Sequence, residues 1–160
     1  MPDMLTLSAD LPEITLAPGD ALVHEGTPGG PVWVLVDGAL TVSKGGVEVN
    51  TINRTGAVIG EVSVLLGTAH GATLTASTPT RLRRADDGGA FLVSDPIVLR
   101  FVAEGLARRL NLVTTYLADL KVQYGDAPGM SMVSDVLSTL SHHEQPEARP
   151  GSARDPDPAY

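Results

Sequence analysis

The chain has no cysteine, no apolar run of the length a membrane crossing requires, and no excess of basic residues. Without cysteine there is no disulfide, no thiol nucleophile and no thiolate metal site, although the compartment stays open on that ground. A bilayer-spanning helix needs about 18 or more consecutive apolar residues, and Met1-Pro2-Asp3 lacks the basic start and apolar core of a secretion signal. The expectation is a cytoplasmic protein with no membrane partner. Eleven Lys and Arg against 19 Asp and Glu leave a net charge of -8. So acidic a chain repels a phosphate backbone, and nucleic acid is not expected as a partner.

Catalytic signatures are absent as well. There is no Gly-x-Ser-x-Gly elbow, no P-loop and no His-Glu-x-x-His. A metal-dependent barrel enzyme would need histidines clustered with a glutamate on adjacent strands. His24 and His70 instead stand apart, and His142-His143-Glu144 opens the tail, where adjacent histidines point in different directions. The chain reads as a non-enzyme, with no catalytic residue, no metal site and no required cofactor.

What is present is a 160-residue chain that is 42% hydrophobic, the size and composition of one soluble globular domain with a modest core. From Ile14 to Arg84 short strands alternate with glycine-rich turns, the pattern of an all-β sandwich or barrel. The segment 39–44, then Gly45-Gly46, then 47–52 predicts a hairpin on a two-residue glycine turn. Alternation puts Leu40 and Val42 on one face, with Val47, Val49 and Thr51 opposite.

After Asp86-Asp87-Gly88-Gly89 the period changes from two to 3.6. Ser94-Asp95-Pro96 marks a helix start, with proline in the first turn, and the helix is expected to reach about Tyr124. Leu106, Leu110, Val113, Leu117, Leu120 and Tyr124 recur at alternating spacings of four and three, an a/d seam. Phe101, Val102 and Leu112 are candidates for contact with the barrel. The narrow distal stripe predicts pairing with a second copy, a homodimer through this central helix, against the alternative of an intramolecular seam. Gly125 to Gly129 breaks the helix, and Ser131 caps a short amphipathic segment, 132–140, with Val133, Val136, Leu137 and Leu140 on one face. So short a helix is marginal alone and should pack on the barrel or on a partner. Gln145 to Tyr160 is proline-rich and polar, and reads as disordered or, alternatively, as a docking peptide. The expected organisation is therefore residues 1–124 as barrel plus central helix, 125–144 as a short amphipathic helix and 145–160 as tail, with 132–160 the surface for any protein partner.

The stretch from Val58 to Thr73 carries the most information: Gly60-Glu61, an apolar helical turn with Ser63, then Gly67-Thr68-Ala69-His70-Gly71 and a return into a strand. With Ala17-Pro18-Gly19-Asp20, Glu25 to Gly30 and Val32 to Gly38 before it, this order of hairpins resembles the cyclic-nucleotide-binding domain family from about Pro12 to about Leu120. The resemblance implies a β jelly-roll barrel followed by a long dimerisation helix. It also implies a sensor or regulatory module whose ligand is a cyclic nucleotide, cyclic AMP or cyclic GMP. By that resemblance Glu61 would accept from the ribose 2′-hydroxyl, and Gly60, Val62 and Ser63 would turn backbone N–H groups to the cyclic phosphate. Thr114 and, less well matched, Thr115 would meet the base, one residue from each subunit.

The second half of the cassette departs from the family pattern. His70 stands where the family has arginine and Gly71 where it has serine or threonine. Arginine is always charged and offers a planar fork of donors, whereas histidine, with an ordinary pKa near 6.5, is mostly neutral at pH 7. Losing a charge-assisted hydrogen bond of roughly 1.5–3 kcal/mol weakens binding by one to two powers of ten. His70 is then an ordinary residue of an exposed loop, a pH-dependent phosphate contact, or part of a site reshaped for another ligand. Glu61 has a capping alternative, a first-turn carboxylate on the helix dipole. The family's transcription factors carry a helix-turn-helix after the central helix; the stretch from Gly125 to Tyr160 is too short and too little basic for one. The rival expectation is a degenerate domain without nucleotide binding that serves as a dimeric interaction scaffold or takes another small ligand.

Overall fold

The computed structural model describes residues 2–142, and the readings for His143, Glu144 and the 145–160 tail lie outside them. The chain divides into two compact units, with the boundary after Val102.

In the first unit a single helical turn, α1 (Met4–Leu7), precedes the sheets; the carboxylate of Asp3 caps it by accepting from the Thr6 N–H at 2.8 Å. Eight strands follow: β1 (Glu13–Leu16), β2 (Ala21–Val23), β3 (Val32–Asp37), β4 (Leu40–Lys44), β5 (Val47–Ile52), β6 (Val58–Ile59), β7 (Thr73–Ala76) and β8 (Thr80–Ala85). The short helix α2 (Glu61–Leu66) sits between β6 and β7, and α3 (Gly88–Leu92) follows β8. The long helix α4 (Pro96–Tyr124) begins in this unit, where the Asp95 carboxylate accepts from the Ile97 N–H at 2.7 Å. The cap-and-proline signal thus fixes the start of α4, and its end falls at Tyr124 as the break at Gly125 requires.

The strands form two antiparallel four-stranded sheets, ordered β1-β8-β3-β6 and β2-β7-β4-β5. This corrects the expected closed barrel: it is a jelly roll of two facing sheets whose edges do not join. The reason is local. β6 has only two residues before the chain turns into α2, and the Ala17–Asp20 turn hands the chain from one sheet to the other. There the Ala17 N–H donates to the Asp20 carboxylate at 2.9 Å and the Gly19 N–H to the Ala76 carbonyl at 2.7 Å.

Both sheets feed one core. Trp33, Leu35, Ile59 and Leu82 come from the first, and Val23, Leu40, Leu74 and Ala76 from the second. On β3 these alternate with Val32 and Val34, which are fully buried on the other face, where α1 and α3 pack. Val98 and Val102 bury the base of α4, while Phe101 is half-buried. The helical stripe in the sequence named Val102 and Phe101 for this contact but not Val98; Leu112, the third candidate, is 70% exposed and belongs to the second unit. The Gly45-Gly46 hairpin forms as expected, with Leu40 buried and Val47 and Val49 exposed on the edge strand β5.

The second unit contains the rest of α4 and α5 (Met130–His142). α5 starts two residues earlier than the 132–140 segment expected from the pattern and extends beyond it. Along α4, Leu106, Leu117 and Leu120 are half-buried, while Leu110 and Val113 are exposed.

Candidate functional site

The cassette is shaped by glycines. Gly60 ends β6 with φ +89°, a conformation that L side chains rarely adopt. A Cβ there would also lie 2.9 Å from the Pro31 carbonyl oxygen and 3.2 Å from the Trp33 ring, so only glycine lets α2 start this close to β3. Gly67 caps the other end with φ +66°. Between them, Glu61 occupies the first position of α2 and is buried, as is Ser63, while Val62 is 41% exposed. The Ser63 hydroxyl donates to the Gly60 carbonyl at 3.0 Å, and its own carbonyl accepts from the Thr68 N–H at 3.0 Å. Gly29 lies against this hydroxyl, its missing Cβ only 2.7 Å from the oxygen. That close approach seats the 24–30 turn on α2.

His70 is 8% exposed, which excludes the reading of an ordinary residue in an exposed loop. Its backbone is pinned on both sides: its N–H donates to the Thr27 carbonyl at 2.9 Å, and its carbonyl accepts from the Gly26 N–H at 2.8 Å. The ring turns inward, with Nδ1 3.4 Å from the Ser63 hydroxyl and its centroid 6.2 Å from that of Trp33 at a 44° tilt. Burial holds its pKa below the ordinary histidine value, because the low-polarity surroundings disfavour the charged form. Gly71 is exposed, and nothing lies within 4 Å of where a side chain would begin.

Two neighbours escaped the sequence reading. Trp33, the sole tryptophan, is 4% exposed and its buried Nε1–H has no hydrogen-bond partner among the described residues. Arg84, paired with Trp33 across β3 and β8, lays its guanidinium 5.8 Å from the Trp33 ring and binds Asp86 at 2.7 Å. Alternation along β3 could have placed Trp33 on the inner face with Leu35; nothing local in sequence links it to a histidine 37 positions on.

A cavity of about 690 Å³ opens between α2, the 24–30 turn and the start of α3, lined among others by Gly29, Ser63, Val64, Thr68, Asp86 and Asp87. Neither Glu61 nor His70 lines it. Ser63 is the candidate site residue common to the cassette's interior and this outer concavity. Asp87 is already engaged, capping α3 through the Ala90 N–H at 2.9 Å.

Gly60, Glu61, Val62, Ser63, His70 and Gly71 thus stand together in the first unit. Thr114 and Thr115 belong to the second; Thr114 is half-buried with its hydroxyl donating to the Leu110 carbonyl of its own helix at 2.8 Å, and Thr115 is exposed. Among the described residues no group of three or more His, Asp or Glu is arranged to hold a metal ion, and no helix is long and apolar enough to cross a membrane.

Comparison with known proteins bears on what this cassette is. The model of the cyclic nucleotide-binding domain matches residues 13–88, which run from β1 to the start of α3. No protein of curated function matches the chain. Among solved structures, the N-terminal domain of a transcriptional regulator from Streptomyces coelicolor is 30% identical, with a TM-score of 0.51 over 72% of this chain and 86% of that one. The Thermus thermophilus catabolite activator protein is 23% identical, with a TM-score of 0.62 over 72% of this chain and 57% of that one. The regulatory subunit of a cAMP-independent protein kinase A from Trypanosoma brucei is 21% identical, with a TM-score of 0.55 over 63% of this chain and 37% of that one. The chain therefore spans less than two thirds of the length of these last two proteins. With the jelly roll, the Gly60-Glu61 turn and the matched model in agreement, the chain belongs to the cyclic-nucleotide-binding domain family.

Proposed function

We propose that this protein is a non-enzymatic regulatory domain that senses a cyclic nucleotide, cyclic AMP or cyclic GMP, through the cassette 60–71. In this reading Glu61 takes the ribose, the backbone from Gly60 to Val64 takes the phosphate, and Thr114 of a second copy, across the dimer, takes the base. The observation that carries it is the buried Glu61 directly after the positive-φ Gly60, inside the family match. Glu61 as a residue is 4% exposed, so a ligand hydroxyl donating to it would be held in a water-poor site, where a hydrogen bond is stronger. Without a guanidinium at His70, the affinity is set by hydrogen bonds rather than a charge pair, about one to two powers of ten below what an arginine would give. The central helix then pairs two copies through Leu106, Leu110, Val113, Leu117 and Leu120, and ligand binding acts by moving that helix against the sheets. The work is done in the cytoplasm, without nucleic acid or a required cofactor, and residues 132–160 serve as the contact for a protein partner.

Titration calorimetry with each cyclic nucleotide tests this. Micromolar binding lost in Glu61→Ala is the expected result; no heat at millimolar nucleotide overturns it. One observation favours the alternative of a dimeric scaffold that no longer binds nucleotide: the His70 ring is turned inward onto Trp33 and Ser63. The fold of a cAMP-independent kinase subunit is compatible with it. His70→Arg combined with Gly71→Ser separates the two, since tight binding created where none existed means that only the phosphate clamp was lost. The space at Gly71 accommodates the serine.

A further inference from the structure

The cassette holds a titratable ring that the reading above counts only as a missing guanidinium. His70 is enclosed, with Ser63 at 3.4 Å and the Trp33 ring beside it, and its backbone is bonded on both sides to the 24–30 turn. The two contacts of the ring described above, the Ser63 hydroxyl and the tilted Trp33 ring, are uncharged. The charged and titratable groups on the elements packed around it are Glu61 on α2, His24 and Glu25 on the turn and, across Trp33, Arg84 on β8 with its partner Asp86. Burial holds the imidazole's pKa below its ordinary value while the site is empty, because it disfavours the charged form. An anion brought within a few ångströms reverses that preference, because an opposite charge favours the protonated form.

We propose that His70 makes ligand binding at the cassette acid-sensitive: a phosphodiester bound beside Ser63 draws one proton onto the His70 imidazole, so affinity rises as pH falls. This rests on the cassette being the nucleotide site. A phosphodiester keeps one negative charge from neutral to mildly acidic pH, so the proton taken up belongs to the protein. By linkage the binding constant then rises by at most about tenfold per pH unit, across the window between the imidazole's midpoints in the empty and the occupied domain. The bound proton also turns a neutral donor into a charged one, which is the interaction that an arginine would have supplied at any pH.

The experiment is calorimetric titration of the full chain with cyclic AMP and cyclic GMP at about pH 5.5, 6.5 and 7.5, in two buffers of different ionisation enthalpy. The expected result is a dissociation constant lower by roughly tenfold or more at the acid end, with uptake of up to one proton per site. His70→Gln should bind with a flat pH profile, and His70→Arg more tightly with a flat profile. A wild-type affinity that does not change with pH overturns the proposal and leaves the nucleotide site standing. So does a slope that survives in His70→Gln. No heat at any pH overturns the nucleotide site and this proposal with it. Circular dichroism establishes that both variants fold. Should either fail, the His70 ring titration followed by NMR in the wild type decides: its midpoint must rise on adding nucleotide, and an unchanged midpoint overturns the proposal.

Discussion

At the scale of the residue, Gly60 and His70 decide what the cassette can do. Gly60 combines a φ of +89° with a close approach to Pro31 and Trp33, so Gly60→Ala meets both backbone strain and the Pro31 carbonyl. A loss of roughly 1–3 kcal/mol is expected in urea unfolding, whereas Gly71→Ser, which enters open space, should stay within about 0.5 kcal/mol of the wild type. His70 also sets a pH dependence of stability in the empty domain. Its folded pKa lies below the ordinary 6.5, so in that window the unfolded chain binds the proton more readily. Its contribution is full above about pH 6.5 and is lost as pH falls through that value toward the folded one. The urea midpoint should therefore drop from pH 7 to about pH 5, and His70→Gln should lessen the drop. The two effects of acid have opposite signs: protons destabilise the empty cassette and strengthen its hold on an anion.

At the scale of the element, α1 was not visible in the sequence, since a four-residue turn carries too little periodicity to stand out. It is held by Arg83, which reaches from β8 to donate to the Leu5 carbonyl at 2.6 Å and the Ser8 hydroxyl at 3.3 Å, and which pairs with Glu13 at 3.4 Å. The Arg83 side chain is only 18% exposed, so these bonds are made largely out of water. Arg83→Ala is expected to cost about 1–3 kcal/mol and, more specifically, to raise hydrogen exchange at Leu5 to Ser8 while leaving β4 and β5 protected. Uniform exchange across the unit would mean that α1 is not tied by this residue. The same logic explains α2: its six residues would not hold a helix alone, and they persist because Gly60, Ser63 and the Thr68 N–H close both ends against the neighbouring turn.

At the scale of the whole molecule, the chain falls into two compact units. The first is closed around one apolar core, and the second leaves Leu110, Leu112, Val113, Tyr116 and Val122 of α4 exposed. Of these only Leu110 and Val113 fall on the seam, where Leu106, Leu117 and Leu120 are half-buried, and it is this stretch that a second copy would bury. Leu110→Asp puts a charge in the middle of the seam, so sedimentation should show the wild type as a dimer and the variant as a monomer. Equal masses for the two would count against pairing through α4. The net charge of -8 adds a check, since pairing driven by apolar burial should survive raised salt rather than weaken with it.

Local chemistry determined much of this protein in advance. The turns at Ala17–Asp20 and Gly45-Gly46, alternation in 40–44, and the Ser94-Asp95-Pro96 start are short-range signals, and each produced the element it announced. The family was legible for a related reason, because the Gly60-Glu61 turn and the hairpins before it are each short local patterns that follow in order along the sequence from Ala17 to Thr73. Tertiary structure alone decided the rest. Whether the strands close into a barrel depends on how two edges meet, and a two-residue β6 leaves them apart. Whether His70 faces solvent depends on Trp33, Ser63 and the 24–30 turn, which arrive from three separate stretches of chain. A histidine's charge follows its surroundings, and those surroundings exist only once the sheets have packed.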